Sequence, residues 1–79
     1  MFTVYVLRSL VNNRFYTGQT NDLHRRLEEH NSGSSEYTRL TRPFVLVHTE
    51  EYKTRKEAVR RERMLKHGQG RSWLKNRYG

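Results

Sequence analysis

Apolar and polar residues recur along this chain with two different periods. From Phe2 to Leu7 almost every residue is a strand former. A period of two puts Phe2, Val4 and Val6 on one face and Thr3, Tyr5 and Leu7 on the other. Both faces are largely apolar, which predicts an inner strand. Val11-Asn12-Asn13-Arg14 reads as a hairpin connection, because asparagine tolerates positive φ. Phe15-Tyr16-Thr17-Gly18 predicts a second short strand ending at a glycine. The period then changes. Leu23 and Leu27, four apart, mark the buried stripe of a helix that starts near Asp22, with Thr20 or Asn21 as its cap. Asn31-Ser32-Gly33-Ser34-Ser35 ends that helix, and residues 31–43 read as loop with one turn, closed by Pro43.

Phe44-Val45-Leu46-Val47-His48 is the most apolar strand, and its unbroken run suits the middle of a sheet covered on both sides. Thr54-Arg55-Lys56-Glu57 is a capping box for a helix running to about His67. Gly68-Gln69-Gly70 is expected to break it, and Ser72-Trp73-Leu74 to open a last short helix anchored by Trp73 and Leu74. The fold class is α/β in the α+β sense, in the order β-β-α-β-α-α: one small sheet with helices packed on it. With 79 residues, of which 33% are hydrophobic, one domain spanning 1–79 is expected.

Composition sharpens this picture in two ways. The absence of cysteine excludes disulfides, thiolate chemistry and cysteine-based zinc sites. With no basic leader and no apolar run of membrane length, a soluble, cytoplasmic protein is expected. The net charge of +8 is unevenly placed. Residues 1–52 carry six basic and six acidic groups, whereas residues 53–79 carry ten basic groups against Glu57 and Glu62. Such a one-sided field attracts a polyanion, although a solvated helix face would give the same count.

Five residues could carry chemistry. Glu62 lies four after Ala58 and three before Leu65, on the inner face of its helix. A carboxylate there is either salt-bridged to a nearby cation or a ligand for Mg²⁺ or Mn²⁺. Arg26 lies beside the leucine stripe and offers a planar fork to phosphate, or else pairs with Glu28, Glu29 or the sheet edge. His30, one turn further on, could relay a proton or hold a phenol, or simply complement the helix dipole. Tyr5 and Tyr16, on the two hairpin strands, could face Arg26, or could be plain packing. One of them could serve as general base only with a lowered pKa. Gly18 meets a backbone need, positive φ or close approach, and belongs to no glycine-rich phosphate loop. His24, His48 and His67 show no zinc-ligand spacing with His30.

Taken together, Val4-Tyr5-Val6, Tyr16-Thr17-Gly18, the stretch from Gln19 to Gly33 and the stretch from Glu57 to Lys66 resemble the GIY-YIG nuclease family. The likeness is to its small single-domain bacterial members and to the N-terminal nuclease domain of the excision-repair nuclease subunit, and it covers residues 2 to about 75. It implies a three-stranded antiparallel sheet flanked by helices, and a metal-dependent DNA endonuclease acting in repair or processing. The alternative is a non-catalytic nucleic-acid-binding module with a degenerate site. Carried over by position, Tyr5 and Tyr16 match the active-site tyrosines, Arg26 the phosphate-contacting arginine and Glu62 the glutamate that holds one Mg²⁺ or Mn²⁺. His30 matches a histidine that some members place near the base. The expected mechanism has Tyr16 or Tyr5 take the proton from the attacking water, with His30 orienting or relaying. Val4, Val6 and Thr17 depart from the family's named triplets, and Leu74 falls where several members carry an asparagine. DNA is the expected partner, gripped through its backbone by Arg55, Arg60, Arg61, Arg63, Lys66, Arg71, Lys75 and Arg77, with the protein acting as a monomer or weak dimer.

Overall fold

The computed structural model describes residues 1–34 and 38–79; Ser35, at the expected helix exit, lies outside them. Strand β1 (Phe2–Ser9) and strand β2 (Phe15–Thr20) form the expected hairpin. Asn13 takes φ 63° in its turn, and the Asn12 side chain accepts from the Arg14 amide at 3.0 Å. Helix α1 (Leu23–Ser32) follows, then a short 3₁₀ turn at Arg39–Thr41, strand β3 (Phe44–Tyr52), helix α2 (Arg55–Lys66) and helix α3 (Gly68–Tyr78). The sheet is antiparallel throughout, in the order β2-β1-β3. No helix among the described residues is long and apolar enough to cross a membrane.

β1 is the central strand, and its pleat divides the core in two. Val4 and Val6 pack with Ala58, Leu65 and Leu74 of α2 and α3 on one face. Tyr5 and Leu7 pack with Phe44 on the other, where Tyr16, Leu23 and Leu27 lean in. All four β1 residues are buried, so the alternation from Phe2 to Leu7 was a true two-sided burial signal.

Four expectations are corrected. β3 is an edge strand and not the middle of the sheet: only Phe44 in it is fully buried, and Leu46 stays 41% exposed. Its apolar run marked the end next to the hairpin, while Thr49 to Tyr52 extended the strand into polar sequence. The cap of α1 is Asp22, whose side chain accepts from the Arg25 amide at 3.1 Å, and not Thr20 or Asn21. Thr20 instead accepts from the Asp22 amide and sets up the turn. The break between the last two helices falls at His67, in extended backbone, and Gly68–Gly70 is already the first turn of α3. Gly70 is needed there for close approach, since a side chain would run into the Met64 carbonyl. Finally, Leu74 is a buried anchor but Trp73 is not, being 38% exposed. The Thr54 capping box forms as expected: Thr54 accepts from the Glu57 amide at 3.2 Å and donates to its carboxylate at 2.9 Å.

Candidate functional site

Hairpin register brings the candidate tyrosines to one face. Tyr5 pairs with Gly18 and Leu7 with Tyr16, so the phenol of Tyr5 lies over the bare Cα of Gly18. A Cβ at Gly18 would sit 2.6 Å from Tyr5 Cζ, so the glycine serves close approach. α1 crosses this face and lowers His30 onto it, fully buried. The Tyr5 hydroxyl and His30 Nε2 are 3.1 Å apart, and His30 Nδ1 lies 2.7 Å from the Thr38 hydroxyl. Tyr16 meets the His30 ring edge-on at 4.8 Å. Asn31 fixes the end of the helix by acting like a strand residue, its side-chain oxygen accepting from the Phe44 amide at 2.7 Å.

The electrostatics of this group set the resting state of Tyr5. Burial raises the Tyr5 pKa above its ordinary value of 10.0, and the Arg26 guanidinium beside it only partly offsets that. Tyr5 therefore rests as a phenol and not as the lowered-pKa base. Burial, and then the Arg26 charge, lower the His30 pKa below 6.5, so the imidazole is neutral. A neutral imidazole has one donor and one acceptor nitrogen. Tyr5, His30 and Thr38 form a buried line through both imidazole nitrogens, with the half-buried Arg26 guanidinium beside the Tyr5 end. Thr38 was missed by sequence reading, because it lies eight residues beyond His30 in a loop, where no helical or strand period gives a spacing signal.

Arg26 Nη1 also donates to Glu29 Oε1 at 3.1 Å, one of the pairings open to it from sequence. Glu62 lies on the inner face of α2 with Ala58 and Leu65, its side chain 18% exposed, and its charge reaches Tyr5. Its carboxylate is 2.8 Å from Lys66 Nζ. Among the described residues no group of three histidine, cysteine or acidic side chains is placed to hold a metal. The donor set is thus one lysine-paired carboxylate. It fits an ion that keeps most of its water, and only once Lys66 has moved away.

The basic residues of the last third do not form one surface. Arg61 grips Glu50 through Nε at 2.8 Å and Nη2 at 3.1 Å. Arg77 lies over Trp73 and Tyr78, and Arg55 over Phe2. Arg60 and Arg63 are exposed on α2. Arg71 and Lys75 of α3, with Lys66, line a groove shared with Arg8 and Arg14 of the hairpin, two cations that sequence reading left out. Around Glu50 a second polar cluster forms: His48 Nε2 donates to it at 2.7 Å, Tyr52 at 2.6 Å, and His48 Nδ1 is 2.6 Å from the Tyr78 hydroxyl. Period-two spacing of His48, Glu50 and Tyr52 was the available signal for this cluster.

A three-stranded sheet in this order, with paired tyrosines under the first helix and a glutamate on the second, defines a GIY-YIG catalytic domain. The family model of that description matches residues 1–77, and the chain belongs to this family. Within it the chain stands with the UPF0213 proteins. It is 43% identical to one from Halobacterium salinarum over 67 residues, which is 84% of this chain and 86% of the relative. It is 49% identical to one from Enterococcus faecalis over 55 residues, 66% of this chain and 62% of the relative's length. The solution structure of a UPF0213 protein from Bacillus halodurans is similar over the whole chain and 87% of its own, at 36% identity and a TM-score of 0.59.

Proposed function

We propose that this chain is a nucleic-acid-binding domain built on the GIY-YIG fold, holding phosphates with α2, α3 and the residues facing them. The observation that carries this reading is the charge partition: the whole net +8 belongs to residues 53–79, on two helices packed together on one side of the sheet. Binding of this kind needs no metal. The test is fluorescence anisotropy with labelled DNA in EDTA. Affinity should fall linearly on a log–log plot against salt, with a slope of about −0.9 per phosphate contact on duplex. Binding that ignores salt, or is absent at low salt, would contradict it.

Phosphodiester hydrolysis is a second reading, favoured by the convergence of Tyr5, Tyr16, Arg26 and His30 with Glu62 in electrostatic reach. Glu62 is the residue that would hold one Mg²⁺ or Mn²⁺, after exchanging Lys66, and the ion's contribution is charge neutralisation at phosphoryl oxygens. Arg26 orients the phosphate and stabilises its developing charge. Tyr5 holds its proton against the neutral His30, and His30 is the group free to accept it. A cleavage assay in Mg²⁺ or Mn²⁺ on single-stranded, duplex and branched DNA tests this. Wild-type cutting should be lost in both Glu62→Gln and Arg26→Ala, and cutting that persists in both would remove the site from consideration.

A further inference from the structure

The charge count treats the last third as one basic surface, but several of its cations are already engaged. Arg61 is committed to Glu50, and Arg55 and Arg77 lie on aromatic rings. Three others, Lys66, Arg71 and Lys75, meet cations from the hairpin. A groove of about 900 Å³ lies between the β1–β2 hairpin and α2–α3, and three separate stretches of chain deliver cations to it: Arg8 and Arg14, Lys66, and Arg71 with Lys75. Among the described residues no acidic side chain lines it, and of its five cations only Lys66 has a carboxylate partner, Glu62. Like charges brought together repel, and an anion relieves that repulsion.

A second observation points the same way. Arg8 donates through Nη1 to the Tyr78 carbonyl at 3.1 Å, but its Nε is buried and has no partner among the described residues. A buried guanidinium N–H without an acceptor is a group waiting for one. Tyr16 lines the same groove while its ring rests on His30. The groove lies on the α2–α3 face of the sheet, and Tyr16, on the outer strand β2, is the one residue of the Tyr5–His30 group that also lines it.

We propose that this groove carries the phosphates of a bound nucleic-acid strand, held by Arg8, Arg14, Lys66, Arg71 and Lys75, and that the outer face of α2 does not. The inference rests on the nucleic-acid-binding reading and locates its interface. Two of the five cations belong to the part of the chain that is neutral in sum, so the interface is assembled by the fold and not by the basic tail alone. Lys66 has a double attachment: a phosphate arriving there competes with Glu62 for the same ammonium.

The test compares two charge-matched triple variants of the full chain by anisotropy with a short fluorescein-labelled oligonucleotide in EDTA. The groove variant is Arg14→Gln, Arg71→Gln, Lys75→Gln; the outer-face variant is Lys56→Gln, Arg60→Gln, Arg63→Gln. All six side chains are exposed, and circular dichroism checks that both variants fold. The groove variant should bind at least about tenfold more weakly, with a salt slope shallower by about 2–3, while the outer-face variant stays within about threefold of wild type. Equal losses in the two variants, or a larger loss in the outer-face one, would overturn the groove while leaving nucleic-acid binding intact. A wild type that fails to bind at low salt overturns the parent reading and the groove with it.

Discussion

The sheet carries a histidine–tyrosine pair on each face, and the two differ in their third partner. Under α1, His30 meets Tyr5 at 3.1 Å and Thr38 at 2.7 Å, with the nearest cation Arg26. Under α3, His48 meets Tyr78 at 2.6 Å and Glu50 at 2.7 Å, and Arg61 binds the same carboxylate. A hydroxyl leaves the first imidazole neutral and able to accept a proton. A carboxylate ties the second into a closed network in which Glu50 also accepts from Tyr52 and Arg61. Burial pushes the Glu50 carboxyl up, but hydrogen bonds from Arg61, Tyr52 and His48 outweigh it and hold the group at about 2. On the hydrolytic reading the first pair is the one that carries chemistry, while the second fastens the C-terminal helix to an edge strand. The widest test of this contrast is a matched substitution. On the hydrolytic reading, Tyr5→Phe should lower the cleavage rate by about 100-fold, because it removes the proton at the centre of the line. Tyr78→Phe should change it less than about twofold. Similar losses from both would erase the distinction.

Stability should show the reverse order. Glu50→Gln leaves Arg61 and Tyr52 facing a neutral amide and should cost about 2–3 kcal/mol in urea unfolding. The pH dependence has a definite sign. The folded pKa of about 2 lies below the ordinary 4.5, so the stabilisation is complete above pH 4.5 and is lost as pH falls towards 2. The wild type should therefore weaken over that window, and the Glu50→Gln variant should weaken less. An unchanged acid limb in the variant would mean that Glu50 does not fasten α3.

Gly18→Ala probes the α1 face without removing any chemical group. The new methyl collides with the Tyr5 ring and should cost about 1–3 kcal/mol while separating Tyr5 from His30. A variant as stable as wild type would show that the ring has room to move, and that its place over Gly18 does not hold the line together.

The elements were legible because each rests on local chemistry: alternation for β1, asparagines for the hairpin, Thr54 and Glu57 for α2. The position of β3 was not, since an apolar run records burial of side chains and says nothing of which strand edges are paired. The convergence of Tyr5, Tyr16, Arg26, His30 and Glu62 was legible only through the family resemblance. Residue spacing puts Arg26 and His30 on one face of α1, but the sheet register that lays Tyr5 under them is long-range. Arg8 escaped for the same reason, as it gains its partner Tyr78 from the far end of the chain, whereas the His48–Glu50–Tyr52 alternation was legible and was passed over. The direction of the Tyr5 shift was left open, because a neighbouring cation is visible in sequence and the depth of burial is not.

The finest distinction between the two faces concerns the charge beside His30. Two effects lower its pKa, burial first and the Arg26 guanidinium second, with Glu29 opposing them. Arg26→Gln removes the second and leaves the first, so the His30 midpoint should rise but remain below 6.5. Proton NMR of the imidazole C2–H signals against pH measures this directly. The linkage carries a sign too. A histidine whose folded pKa is lowered stabilises the fold fully above its unfolded pKa near 6.5, and that stabilisation is lost as pH falls through the folded value. Arg26→Gln should therefore be less sensitive than wild type to mild acid. The effect is the smallest of the four because burial, the larger cause, stays in place. A midpoint that does not move would mean that Glu29 already neutralises Arg26 at 3.1 Å. The α1 face would then owe its neutral imidazole to packing alone.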